Sequence, residues 1–116
     1  MTPTEDKRDL FPGALELMVL RTLTLEPLHG YALAARIQQR SGELLQIEEG
    51  SLYPALQRLL KEDLVQAKWG MSATNRRVRI YSLTTKGRRH LERETARLDT
   101  MLDGIQRVLA PVPEGS

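Results

Sequence analysis

The sequence predicts a mostly α-helical α+β domain with one small β-hairpin, followed by a long C-terminal helix. Apolar residues recur at helical spacing in four segments of the 116-residue chain. The segments "LVQAKWG" and "RRVRIYSL" are rich in Val, Ile, Tyr and Trp, and they flank the polar turn "GMSATN", which is the pattern of a hairpin. Three short helices, a hairpin and a further helix are the parts of a winged helix-turn-helix with an added long helix.

The composition narrows the class of protein. A hydrophobic fraction of 41% in a chain of one domain's length predicts a globular protein rather than a disordered one. The chain has no cysteine, which excludes a disulfide framework and thiol chemistry and fits a reducing cytoplasm. The first apolar run, "ALELMVLRTLTL", is interrupted by Glu16 and Arg21, so we expect neither a signal peptide nor a membrane span. We therefore expect a cytoplasmic protein.

Positive charge is concentrated in one stretch of the chain. Residues 1–65 carry 7 Lys and Arg against 10 Asp and Glu, residues 66–93 carry 8 against 1, and residues 94–116 carry 2 against 4; the net charges of −3, +7 and −2 sum to +2. Six of the eight cations in the middle stretch are arginine, whose guanidinium matches phosphate geometry. This clustering predicts a patch that binds nucleic acid, and the alternative is a solvated charged face.

Breaker residues set the bounds of the first two helices. The first is predicted over about residues 14–25, and it ends at Glu26 because a residue that precedes proline is disfavoured in the helical region. The second is predicted over about residues 30–41, with Ser41 and Gly42 as its stop. The next stretch, "ELLQIEE", is predicted to be short and extended.

The third helix is predicted to start just after Gly50. Ser51 is a good N-cap, and Pro54 then falls in the first turn, where a missing N–H costs little. Asp63 closes the helix. Its expected buried stripe consists of Leu52, Leu56, Leu59 and Leu60.

The remainder of the chain forms the hairpin, over about residues 64–83, and a long helix, over about residues 85–109. Thr84 or Thr85 is the expected cap of that helix. The resulting divisions are a winged helix-turn-helix DNA-binding domain (1–84), a C-terminal dimerisation helix (85–110) and a disordered tail (111–116).

The exposed face at the start of the third helix is the predicted reading surface, because a recognition helix presents its N-terminal residues to the major groove of DNA. The candidate DNA-contacting residues on this helix are Ser51, Tyr53, Pro54, Gln57, Arg58 and Lys61. Gln57 can pair bidentately with adenine, and Arg58 with guanine or a phosphate. Tyr53 can instead pack against the second helix. The two cations can instead pair with Glu49 or Glu62.

The hairpin carries the cations that we expect to hold phosphates beside the groove. They are Lys68, Arg76, Arg77 and Arg79. Arg77 and Arg79 share a face because strand side chains alternate. The alternative is a charged hairpin edge that resists aggregation. Trp69, the only Trp of the chain, is expected to pack beneath the hairpin rather than to stack on a base.

At the start of the second helix, Tyr31 is a candidate hydrogen-bond donor to a DNA phosphate, or alternatively a core residue. His29 has no cysteine or carboxylate at ligand spacing, and His90 belongs to a different element. The chain has no Gly-rich phosphate loop and no plausible set of Ser, His and acid. We therefore expect no enzymatic activity, no metal site and no cofactor.

The last helix carries an apolar seam at the 4-3-4-3-4 spacing of a coiled coil. The seam consists of Leu91, Thr95, Leu98, Leu102, Ile105 and Leu109, widened by Met101 and Val108. A helix of about 25 residues spans ~37 Å, which is longer than a small helical core can cover. We therefore expect a homodimer, and packing on the chain's own first helix is compatible with it. A two-fold dimer presents its recognition helices ~34 Å apart, which predicts a palindromic operator.

Three segments of the chain carry a resemblance to a known family. They are "GALELMVLRTLTLEPLHGYALAARI", "EEGSLYPALQRLLKEDLV" and "RRVRIYSLTTKGRRHL". The ordered combination of "HGYAL", "GSLYPAL" and "YSLTTKG" resembles the PadR family of bacterial transcriptional regulators over about residues 11–95, and the single C-terminal helix resembles its short subfamily. The resemblance implies a homodimeric winged-helix repressor of a kind that is often relieved by a small molecule.

The C-terminal helix of this chain differs from the family in a way that bears on the expected small-molecule effector. Some short members hold flat aromatic compounds between aromatic residues of their C-terminal helices. Residues 85–116 of this chain contain no Phe, Tyr or Trp, so the effector stays open.

The predicted function is sequence-specific DNA binding by a homodimeric transcriptional regulator, with repression as the expected outcome. The alternative is a winged helix that binds protein without touching DNA. A protein-binding version is expected to expose an apolar patch at the third helix and the hairpin.

Overall fold

The computed structural model of the chain describes residues 13–113, which form four helices and a three-stranded antiparallel sheet. The elements in chain order are α1 (Ala14–Leu23), β1 (Leu28–His29), α2 (Gly30–Arg40), α3 (Glu49–Lys61), β2 (Val65–Met71), β3 (Arg77–Leu83) and α4 (Thr85–Leu109). The predicted winged-helix arrangement with a long last helix is confirmed. Residues 114–116 of the tail predicted at 111–116 lie outside the described residues.

The strand β1 is an addition to the predicted hairpin. It pairs with β3 through Leu28 opposite Tyr81 and His29 opposite Ile80, which gives the strand order β1-β3-β2. The sequence pattern places His29 at the start of the second helix; it is instead the last residue of β1 and the N-cap of α2, where its Nδ1 accepts a hydrogen bond from the Ala32 N–H at 3.1 Å. A two-residue strand is too short to show alternation, so periodicity could not reveal it.

The core lies where α1, α2 and α3 meet the inner face of the sheet. Its largest fully buried side chains are Val19, Leu20, Leu33, Leu52, Leu56, Leu59, Val65 and Leu91. The predicted stripe of α3 is confirmed, with Leu60 only partly buried. Leucine fills most of this core, and Tyr81 is the aromatic residue that joins it, whereas Tyr31, Tyr53 and Trp69 are exposed.

The start of α3 corrects one prediction. The helix begins at Glu49 with Glu48 as its N-cap residue, and Ser51 makes no capping hydrogen bond. The N–H groups of Ser51 and Leu52 both donate to the Glu48 carbonyl, at 3.0 and 2.9 Å. Pro54 is therefore in the sixth helical position rather than the third, and it offers no N–H to the carbonyl four residues earlier. The acidic residues at this end suit the positive pole of the helix dipole.

The junction between the wing (β2, β3 and their turn) and α4 is made by Thr84. Its hydroxyl accepts from the Gly87 N–H at 2.9 Å and donates to the Asp63 carbonyl at 2.7 Å, so Thr84 is the cap of α4. Its own N–H donates to the Leu64 carbonyl at 3.2 Å. These bonds tie the first turn of α4 to the residues that precede β2.

The first half of α4 packs on α1, and the second half extends away from the core, which gives the molecule a long dimension of 64 Å against 33 and 27 Å. Leu91, predicted in the dimer seam, is 1% exposed and lies in the protomer's own core, because α1 covers that part of the helix. Farther along, Leu98 and Leu102 are partly buried, and the last apolar side chains are exposed. Those exposed side chains are Met101, Ile105, Val108 and Leu109.

Within residues 13–113, no helix is both long enough and apolar enough to cross a membrane.

We expect Gly87→Ala to destabilise the fold. A Cβ at this position would lie 2.0 Å from the Leu64 carbonyl oxygen, a backbone atom that cannot move aside cheaply. The expected loss is ~1–3 kcal/mol of the free energy of unfolding, measured by urea denaturation. Gly50→Ala is the matched control, because it lies in the first turn of α3 with no atom within 4 Å of the new Cβ. It is expected to leave the stability unchanged or to raise it. Equal urea midpoints for the two variants would contradict the assigned contact.

Candidate nucleic-acid interface

A groove lies between the wing and the starts of α2 and α3. It encloses about 690 Å³ and opens to solvent. The start of α2 and one side chain of α3, Tyr53, form one wall; the wing forms the other. The wing residues that line the groove include Trp69, Arg76, Arg77, Arg79 and Tyr81. The groove thus combines aromatic rings with arginines from the basic stretch.

The strand register decides which wing cations face this groove. Trp69 is opposite Arg79 and Met71 is opposite Arg77, so these four side chains share a face of the sheet. Lys68 is opposite Ile80 and therefore projects from the other face. The phosphate contact of Lys68 stays a prediction, and the strand register places that side chain away from Arg77 and Arg79.

The wing tip is a closed turn. The Ser72 N–H donates to the Arg76 carbonyl at 2.8 Å, and the Arg76 N–H donates to the Ser72 Oγ at 3.1 Å. Asn75 takes a positive φ of 62°, a conformation that asparagine tolerates. The turn therefore holds Arg76 at the start of β3.

Trp69 corrects a second prediction. It is 58% exposed and does not pack beneath the hairpin. The Arg77 guanidinium carbon lies 4.5 Å from the centroid of its ring, and that of Arg79 lies 5.4 Å away. Both distances are within the range of cation–π attraction.

The arginines that line the groove carry charge that no carboxylate neutralises. Within residues 13–113, none of the ion pairs involves Arg76, Arg77 or Arg79. Residues 64–91 contain no Asp or Glu, so the strands of the wing offer these arginines no carboxylate. The wing therefore presents a positive surface that attracts anions.

Tyr53 both packs and faces solvent. Its ring covers Gly30, where an added Cβ would lie 2.8 Å from the Tyr53 Oη, and the side chain is still 42% exposed. The glycine at the start of α2 thus leaves room for the Tyr53 ring, which an added Cβ would displace. Tyr31, for which a core position was the alternative, is 76% exposed beside it.

Tyr81 lies at the closed end of the groove, 4% exposed. Burial raises the pKa of its phenol above the usual value; the charge of Arg79 opposes the rise, and Tyr53 adds to it. The phenol is therefore neutral at physiological pH and places no negative charge among the arginines.

The exposed face of α3 adjoins the groove but does not include every predicted residue. Ser51, Pro54, Gln57 and Lys61 are exposed. Arg58 instead forms an ion pair with Glu16 of α1, with 2.9 Å between Nε and Oε2. The partner differs from the two alternatives that the sequence offered, because a residue 42 positions away is brought close only by the fold. Arg58 therefore faces α1 rather than the groove.

A second surface lies between α1, the end of α2 and the middle of α4. It is a shallow, largely apolar depression of about 340 Å³. Its lining includes Leu17, Met18, Ile37, Thr95 and Leu98. It continues into the exposed apolar side chains of α4 and lies apart from the groove.

A helix-turn-helix core with a basic wing is the architecture of winged-helix transcription regulators. Residues 19–93 match the model of the transcriptional regulator PadR-like family, and the chain belongs to that family. Its members are regulators of transcription, which confirms the expectation that the chain is not an enzyme.

Two solved structures share the fold of this chain, and one curated relative matches most of its length. The fold matches a transcriptional regulator from Clostridium thermocellum with a TM-score of 0.80 at 22% identity, over 89% of this chain and all of that one. It also matches Bacillus subtilis PadR, determined in complex with operator DNA, with a TM-score of 0.63 at 22% identity; the match covers 88% of this chain and 53% of the longer protein. The chain is 27% identical to an uncharacterised protein X of Lysinibacillus sphaericus over 84% of its length and 92% of that protein.

We expect the alkaline loss of stability to depend on Tyr81. Its pKa is higher in the folded chain than in the unfolded one, so above about pH 10 the unfolded state releases the proton first. The stabilisation is complete below that pH and is lost as the pH rises through the folded pKa. The free energy of unfolding is measured by urea denaturation at rising pH. Tyr81→Phe should make its alkaline decline smaller. Tyr31→Phe, which removes an exposed hydroxyl, should show the same decline as the unmodified chain. A decline that is the same for both variants would refute the assignment.

Proposed function

We propose that the chain is a sequence-specific DNA-binding regulator that acts as a homodimer, with α3 in the major groove and the wing on the adjacent backbone. The observation that carries this proposal is the groove beside α3, where Arg76, Arg77 and Arg79 face solvent and form no ion pair with a carboxylate of residues 13–113. A duplex is the polyanion whose dimensions suit a helix flanked by such a wing.

We assign the proposed DNA contacts to two roles, phosphate binding and base reading. Arg76, Arg77 and Arg79 bind phosphates, since they lie on the wing beside the recognition helix. Gln57 reads a base, because it is exposed on the outer face of α3. The remaining exposed candidates, which contact backbone or base edges, are Tyr31, Ser51, Tyr53, Pro54 and Lys61.

Two of the predicted contacts carry less weight in this proposal. Arg58 is held by Glu16 at 2.9 Å, so a base contact would require it to leave that partner. Lys68 lies on the face of the wing away from Arg77 and Arg79. It therefore acts at most on a phosphate outside the groove.

Bacillus subtilis PadR supports the DNA assignment. It shares this fold and was solved with operator DNA, although the chain spans about half of its length. The same fold in a DNA complex makes a duplex the first ligand to test for this chain.

The homodimer proposal is based on α4. Its last nine residues expose four apolar side chains to solvent, among which Val108 is 82% exposed. Exposed apolar area of this kind at a helix end is typical of an interface. A second copy packed along α4 would cover it and would place two α3 helices on one side of a palindromic operator.

Repression relieved by a small molecule is the mode that the family resemblance supports. Operator binding by a compact dimer blocks other proteins from the same DNA, so no further activity is needed. An effector of this chain would have to bind outside an aromatic pocket of α4, because residues 85–116 contain no Phe, Tyr or Trp.

A protein-binding winged helix is the second candidate. Two exposed apolar side chains of the wing, Trp69 and Met71, favour it. Against it, the wing concentrates positive charge, because it carries Arg76, Arg77 and Arg79 while residues 64–91 contain no Asp or Glu, and such clustering favours a polyanion as the ligand.

We expect Arg77→Ala and Gln57→Ala to differ in kind. Arg77→Ala removes one phosphate contact, so it should weaken binding to every sequence and reduce the slope of log K against log salt by ~1. Gln57→Ala should leave that slope unchanged and relax the preference at one base pair, at a cost of ~1–3 kcal/mol for the preferred base. The measurements are selection of bound sites from random DNA and binding isotherms at several salt concentrations.

The matched control for Arg77 is Arg97→Ala, an exposed arginine of α4 that pairs with Glu94 at 3.2 Å. It should bind DNA as the unmodified chain does. DNA binding that does not depend on salt would contradict the phosphate assignment.

We expect Ile105→Asp to disrupt the homodimer. A carboxylate in the apolar interface costs ~2 kcal/mol or more, which raises the dimer dissociation constant about thirtyfold or more. Thr100→Asp is the control, since position 100 lies on the opposite side of α4 and is exposed. Analytical ultracentrifugation over a concentration series measures both. A monomeric unmodified chain, or equal dissociation constants for the two variants, would refute the assigned interface.

A further inference from the structure

We propose that Trp69 is the positioning residue of the wing: its ring holds the guanidinium groups of Arg77 and Arg79 on the groove face, so that the wing meets DNA as a preformed phosphate clamp. This inference depends on the proposed function, because the clamp has a purpose only if the ligand carries phosphates.

The strand register brings both arginines to one ring. Trp69 on β2 lies directly opposite Arg79 on β3, and Arg77 is the diagonal neighbour on the same face. The guanidinium carbon of Arg77 lies 4.5 Å from the centroid of the Trp69 ring, and that of Arg79 lies 5.4 Å from it. One aromatic side chain therefore contacts two arginines that are neighbours on the same face of the strand.

A ring holds an arginine in a way that a carboxylate cannot. An ion pair would fix the side chain, but it would also cancel the charge and occupy the N–H donors that bind phosphate. The π face attracts the cation through its quadrupole, so the net charge stays on the wing and the N–H donors at the rim of the guanidinium stay available. The absence of Asp and Glu from residues 64–91 leaves the ring as the means of ordering these arginines.

The exposure of Trp69 argues against a role as core filler. The side chain is 58% exposed and is absent from the core cluster, whose wing members are Val65 and Tyr81. Such an exposed tryptophan makes its closest described cation contacts with Arg77 and Arg79. Ordering these two long side chains before DNA arrives reduces the rotamer freedom that is lost on binding.

The test is a double-mutant cycle on the full chain. Trp69→Leu keeps an apolar side chain without a π face, and Trp69→Phe keeps a ring. The probe is a mixed-sequence DNA duplex of about 30 base pairs, long enough for two half-sites. Each Trp69 variant is made in the unmodified chain and in the Arg77→Ala, Arg79→Ala background, and affinities are measured at several salt concentrations.

We expect Trp69→Leu to weaken binding about threefold to tenfold with an unchanged salt slope, because the same phosphates are contacted by less ordered arginines. Trp69→Phe should restore most of the affinity. In the background that lacks both arginines, Trp69→Leu should have no further effect. This pattern supports the positioning role.

Other outcomes overturn it. An equal loss in both backgrounds would mean that Trp69 touches DNA itself, and no loss in either would mean that the ring does not order the arginines. A loss accompanied by a lower urea midpoint and a reduced salt slope, not recovered by Trp69→Phe, would assign a structural role. If the unmodified chain shows no salt-dependent DNA binding, the proposed function itself fails, which is distinguishable from every outcome that concerns Trp69 alone.

Discussion

The backbone junction between the wing and α4 is the constraint on which the rest of the structure depends. The Leu64 carbonyl accepts the Thr84 N–H at 3.2 Å, and the lack of a side chain at Gly87 lets the first turn of α4 reach that carbonyl. The Thr84 hydroxyl also donates a hydrogen bond to the Asp63 carbonyl, so the start of β2 cannot rotate without displacing α4. In the proposed dimer, this junction makes the placement of two wings depend on how two α4 helices pack, since the helix and the wing move as one body.

The groove beside α3 shows how a small fold keeps a concentrated positive charge. Like charges on neighbouring side chains repel, and solvent screens that repulsion only over about 8–10 Å. The wing places its arginines on an exposed hairpin, where water solvates them, and two of them also lie against the Trp69 ring. The neutral phenol of Tyr81 closes the groove without adding a counter-charge. Repulsion between these arginines costs stability in the free protein, and a DNA duplex would neutralise the same charge. This is a reason to find the arginines at a binding surface rather than in the core.

Local signals account for the features of the fold that sequence reasoning predicted well. Proline and glycine bound α1 and α2, threonine caps α4, and alternating β-formers mark the wing, because each signal acts over a few residues. The start of α3 lies three residues earlier than predicted, since "EEG" is compatible with a helix and the Glu48 carbonyl accepts the first helical hydrogen bonds in place of a serine cap. The strand β1 carried no local signal, because two residues pair with β3 only after the chain has folded.

The sequence by itself determined the order of elements, the family motifs and the concentration of arginine between residues 66 and 93, since all three are properties of neighbouring positions. Only the tertiary structure decided which side chains meet. Arg58 pairs with Glu16, 42 positions away, and Lys68 leaves the groove face while Trp69 joins it. The physical reason for the wing is that a strand register shifted by one residue sends each side chain to the opposite face, and that register is set by how the turn between Ser72 and Arg76 closes.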